Sequence, residues 1–111
     1  MSGGDLIQEV QTNIKMLDLA VGELKERGRT FAQAEHDYKV AMAKFVTEKR
    51  AEKVPVTIVT ILAQGDPEVA KLRMMRDIAE SLYDSAKEAI NSYKLKIRVI
   101  NDQIEREWKN A

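Results

Sequence analysis

Proline lacks a backbone N–H and its ring collides with the preceding turn, so a helix that meets one must begin, bend or stop there. The chain of 111 residues has two prolines, Pro55 and Pro67, both near its middle. On either side of this pair the sequence is rich in Ala, Leu, Glu, Lys, Arg, Gln and Met, the strongest helix formers. Two helix-favouring stretches joined by a short proline-bounded segment predict an antiparallel hairpin, each arm on the order of 60–70 Å long at about 1.5 Å per residue. The expected fold is all-α: a long antiparallel helical hairpin (about 5–53 and 67–109) with a short helix at the tip (about 57–64), assembling into an oligomeric helical bundle. Residues 1–111 read as a single helical-hairpin domain.

Local signals place the element ends. Asp5 with Gln8 three residues on reads as an N-cap and capping box. Apolar residues then recur every seven positions at Val10, Leu17, Leu24, Phe31, Tyr38 and Phe45, and a second row adds Ile7, Ile14, Val21 and Met42, together an a/d-like seam. Gly28, followed by Thr30 and Gln33, offers a break, but Leu24 and Phe31 keep phase across it, which favours one continuous helix. Val54-Pro55 should end that helix. Asp66-Pro67-Glu68 supplies an N-cap and a proline at the first helical position of the next. Its stripe reads Leu72, Met75, Ala79, Leu82, Ala86, Ile90, Tyr93, Ile97, Ile100 and Ile104, with spacings of three and four. Between the prolines, β-branched residues would suit a strand, but a lone strand has nothing to pair with. A short helix capped by Thr57 fits better, with Ile58, Ile61 and Leu62 on one face.

Each helix of a pair buries only one stripe, and here the apolar surface is wider than that. Around Leu95–Ile100 and near the N-terminus, apolar side chains point more than one way. The candidate oligomer interface is Leu6, Val10, Leu17, Leu95, Val99, Ile100 and Ile104. A homo-oligomer, dimer or larger, is expected.

Composition removes several chemistries. With no cysteine there is no disulfide framework, thiolate metal site or cysteine nucleophile. One histidine cannot build a His-rich zinc site within one chain. Eighteen basic against 18 acidic residues argue against a non-specific nucleic-acid grip as the main task. His36 lies in Glu35-His36-Asp37, but neighbours in a helix point apart and positions 32 and 40 are Ala and Val, so it reads as a surface histidine. There is no nucleophile elbow, Walker loop or Rossmann glycine set. The expectation is no enzyme, no catalytic residue, no metal and no cofactor.

Cations gather around the turn, and Lys49, Arg50, Lys71, Arg73 and Arg76 are the candidate anion- or nucleotide-binding set. Nearby acids leave only a small local excess, so dipole complementation and surface pairing compete with that reading. The faint helix-turn-helix pattern over Thr60–Val69 would put acidic groups first in a recognition helix, which suits DNA poorly. Tyr38, Tyr83, Tyr93 and Trp108 could stack a base, though aromatics at helical spacing usually pack. Lys94, Lys96 and Arg98 read as long stems covering apolar flanks. The polar start Met1–Asp5 lacks a secretory pattern and no apolar stretch is long enough to span a bilayer, so a cytoplasmic protein without membrane contact is expected.

The run Arg27-Gly28-Arg29, Ala32-x-Ala34-Glu35-x-Asp37-Tyr38, Val54-Pro55-Val56-Thr57-Ile58, Gly65-Asp66, Ala70-Lys71-Leu72 and Ala89-Ile90-Asn91-x-Tyr93-Lys94-Leu95-x-Ile97-Arg98 resembles small helical proteins encoded by phages and prophages of Gram-positive bacteria. The likeness covers about Leu24 to Trp108. That family has no assigned activity, so no residue role transfers. The resemblance implies a phage-encoded protein acting in the host cytoplasm. The functional expectation is a non-enzymatic helical oligomer that binds a host or phage protein in host takeover, anti-defence action included. The alternatives are a sponge binding a nucleotide signal at a subunit interface, or a nucleic-acid-binding accessory of phage replication or recombination.

Overall fold

A computed structural model describes residues 3–110; Met1, Ser2 and Ala111 lie outside the described residues, and with them part of the polar N-terminal segment. The described chain is three helices in the order α1 (Gly3–Ala51), α2 (Val56–Gly65) and α3 (Pro67–Lys109), without strands. The expected long–short–long pattern is present, and α1 runs through Gly28 without a break. The two long helices pair.

The ends are set by specific groups. Because α1 already includes Gly3, Asp5 stands in its first turn rather than at its cap, where a carboxylate still complements the helix dipole. At the far end Lys53 adopts a left-handed conformation, with φ 66°. The Lys53 N–H donates to the Arg50 carbonyl and the Val54 N–H to the Lys49 carbonyl, both at 3.0 Å. This is a Schellman turn, and it stops α1 at Ala51, just ahead of the Val54-Pro55 break. Arg50 Nη1 adds a hydrogen bond to the Val54 carbonyl at 3.0 Å. A lysine in this conformation carries a Cβ clash that glycine avoids. Lys53→Gly is therefore expected to stabilise the fold by about 1 kcal/mol, read as a higher urea midpoint at constant slope. An unchanged or lower midpoint would contradict that account.

Thr57 does not cap α2. The flanking residue is Pro55, which makes no side-chain cap, and the Ile58 N–H donates to the Pro55 carbonyl at 3.1 Å. Proline's fixed φ suits the entry, so a hydroxyl is not needed there. Asp66 does cap α3: its Oδ2 accepts the Val69 N–H at 3.1 Å and its carbonyl accepts the Ala70 N–H at 2.8 Å.

The chain forms two compact units. One comprises the described parts of Met1–Glu26 and Asp84–Ala111; its buried apolar residues are Leu6, Ala86, Ile90 and Ile100. The other is Arg27–Tyr83, with Val59, Ala63, Val69 and Ala79 buried. In this second unit the contacts run in opposite chain order, which makes α1 and α3 antiparallel. The Phe31 ring meets Tyr83 with centroids 5.9 Å apart, and Tyr38 meets Arg76. Phe45 lines one concavity with Val69.

The row Val10, Leu17, Leu24, Phe31, Tyr38, Phe45 is half-buried along its whole length. The companion row divides: Met42 is half-buried, whereas Ile7, Ile14 and Val21 are exposed at 51, 43 and 38%. A single partner helix covers one stripe, and the second row of the seam flanks it. On α3, Met75 and Leu82 are likewise exposed, while Arg76 and Tyr83 take the half-buried positions beside them. Gly28 faces Tyr83, whose Cε1 is 3.7 Å from where a glycine-replacing Cβ would sit, an ordinary packing distance.

Candidate interaction surface

A short helix between two long ones has little stripe to bury, and α2 buries just Val59 (3% exposed) and Ala63 (0%). Its sequence, VTIVTILAQG, contains no charged residue. Four of its aliphatic side chains are exposed: Val56 65%, Ile58 43%, Ile61 67% and Leu62 44%. α3 also carries exposed apolar residues near the end of α2. Gln64 at the end of α2 and Ala70, Arg73, Met74, Asp77, Ile78 and Ser81 of α3 line one open groove of about 500 Å³. Met74 and Ile78 are themselves more than half exposed. The four α2 residues with Met74 and Ile78 expose roughly 600 Å², the upper end of the range for the largest apolar patch of a monomer, a patch that is often functional.

The cations proposed as an anion site are placed differently from one another. Lys49 pairs with Glu52 at 3.2 Å and lies 5.5 Å from the Phe45 ring centroid. Arg50 serves the Schellman turn. Arg76 is half-buried, its guanidinium 4.6 Å from the Tyr38 centroid and bonded to Asp77 through Nε at 3.1 Å and Nη2 at 2.8 Å. That hydrogen bond raises the Arg76 pKa above its already high ordinary value. Three of the five thus have intramolecular roles; Lys71 and Arg73 are exposed, and Arg73 belongs to the groove.

The candidate oligomer residues also divide. Leu6 and Ile100 are buried within the chain, at 1 and 7% exposure, and Val10, Leu17 and Ile104 are half-buried. Leu95 and Val99 are exposed at 56 and 52%, on the same unit as the open row Ile7, Ile14 and Val21.

His36 has a neighbour after all. Its Nδ1 lies 3.3 Å from Asp37 Oδ1, which also accepts a 2.8 Å hydrogen bond from Gln33 Nε2. The Gln33 bond first, then His36, lowers the Asp37 pKa, so this carboxylate stays ionised further into acid. The cluster is exposed, and among the described residues no group of three or more His, Cys, Asp or Glu side chains could hold a metal. Of the aromatics, Tyr38, Tyr83 and Tyr93 are half-buried and Trp108 is 82% exposed. Lys96 Nζ sits over the Tyr93 ring, 5.2 Å from its centroid.

The fold and surface together define an all-α helical hairpin whose second unit carries a charge-free helix with an open aliphatic face. No protein-family model, curated protein or solved structure matches the chain. Among the described residues no helix is long and apolar enough to cross a membrane.

Proposed function

We propose that the chain is a non-enzymatic interaction protein that works as a homo-oligomer and docks a host or phage protein. The observation that carries this reading is the balance of apolar side chains. Among the described residues, 17 large hydrophobic residues are exposed, whereas three of the eight buried ones are alanines. Covering these side chains in an assembly would contribute about 0.8 kcal/mol for each methylene buried, which favours self-association or docking. The likeness to phage and prophage proteins sets the proposed context: a phage-encoded factor in the host cytoplasm, acting in takeover of the cell or against its defences.

Light scattering on the purified full chain at micromolar concentration tests the core of this reading. A mass that is a multiple of 12.6 kDa is expected. A strictly monomeric species would refute it. Nucleotide released on heating protein purified from infected cells would replace it with the signal-sponge reading.

A further inference from the structure

We infer that the occupant of the α2 face is the same face of a second copy of this chain, so that two chains join about a two-fold axis through α2 and the α2–α3 groove. The inference rests on the oligomeric reading above and assigns it a surface. An isologous interface must be complementary to itself: one patch has to carry both the projection and the recess. This patch does. Ile61 is the most exposed aliphatic residue of α2, at 67%, and it lies one turn before Gln64, which forms the groove wall. The groove that Gln64 borders has Ala70, Met74 and Ile78 as its apolar lining, with Arg73, Asp77 and Ser81 beside them. A two-fold axis places each Ile61 against the other chain's groove, and methionine adapts its shape to such an insertion.

Charge supports the same occupant. α2 contributes no charge, so bringing two copies together buries none from the helix itself. The groove rim carries Arg73 and Asp77, one helical turn apart; Asp77 Oδ1 is held by Arg76 of the same chain, so it is the Oδ2 side of this half-exposed carboxylate that faces a second copy. Across a two-fold axis these oppose each other as Arg73–Asp77 pairs, twice. The chain has 18 basic and 18 acidic residues, so copies meet without net repulsion. The area is adequate as well. Roughly 600 Å² of apolar surface per copy, with a polar rim added, approaches the about 800 Å² per partner of a standard stable interface.

Sedimentation velocity of the full chain, with circular dichroism as the check on folding, tests the assignment. Wild type is expected to sediment as a dimer or a multiple of it, Ile61→Glu to dissociate on the order of a hundredfold more readily, and Leu95→Glu to behave as wild type. Met74→Glu, on the other side of the groove, is expected to repeat the Ile61→Glu result. Arg73→Glu and Asp77→Arg should each weaken self-association, and an equimolar mixture of the two should recover it as a heterodimer. A dimer that survives Ile61→Glu and Met74→Glu but is lost in Leu95→Glu would overturn this surface while leaving the oligomeric reading intact. A monomeric wild type would overturn both. Cosedimentation of wild type with anionic phospholipid vesicles, abolished by Ile61→Glu without any change of mass in solution, would overturn the second-copy occupant in favour of a lipid surface.

Discussion

Ala63→Glu is expected to lower the free energy of unfolding by about 3–5 kcal/mol, the cost of leaving a buried charge without a partner. Ala63 has 0% exposure, so there is no direction in which a longer side chain can reach water without displacing α2. The only other buried residue of α2 is Val59, so the helix has little else to hold it. Chemical denaturation followed by circular dichroism measures the loss. Limited proteolysis should find new cleavage between Lys53 and Gly65. A loss below about 1 kcal/mol would mean that α2 is not seated through Ala63, since a well-seated position does not tolerate a carboxylate so cheaply.

Leu6→Ala is expected to cost about 2–4 kcal/mol, within the range for truncating a buried leucine when the cavity closes incompletely. The magnitude is unusual for a residue in the opening turns of a helix, where ends commonly fray. Here Leu6 is 1% exposed, whereas its neighbour Ile7 is 51% exposed. Ile7→Ala is the matched control and should change the urea midpoint of dilute protein much less. Equal losses for the two would show that the first turns are not docked as described.

Pro55 and Pro67 made the three-helix pattern legible, because the backbone chemistry of proline acts whatever surrounds it. Asp66 was legible for the same reason: a carboxylate before Pro67 has few other uses, and its bond to the Val69 N–H is local. The stop at Lys53 was not legible, since glycine is the usual signal for a left-handed residue and a lysine hides it.

The long-range phase was only partly readable. Val10 through Phe45 faces inward as its spacing implied, but Ile7, Ile14 and Val21 carry the same spacing and lie outside. Hydrophobicity cannot say which of two adjacent rows meets a partner helix. On α3, ranking by hydrophobicity preferred Met75 to Arg76. Arg76 nevertheless packs inward, because its guanidinium can stack on Tyr38 while Asp77 satisfies its N–H groups. The mid-helix glycines of α1 do not report on packing: a Cβ at Gly28 would make an ordinary 3.7 Å contact with the Tyr83 ring, and one at Gly22 would meet nothing.

The candidate surface was missed for a related reason. In a chain with 36 charged residues, ten consecutive helical positions without a charge are themselves a signal, and it is weaker to the eye than the cations that flank them.

Trp108 has a spectroscopic consequence. It is the sole tryptophan and is 82% exposed, so the indole is already nearly as wet in the native chain as it would be in the unfolded one. Its emission should lie close to that of free indole in water and hardly move through the denaturation transition. Tryptophan fluorescence is therefore a poor gauge of folding in this protein and a sensitive gauge of association at its C-terminal end. A blue shift that grows with protein concentration would mean that a second surface has come to rest against the ring.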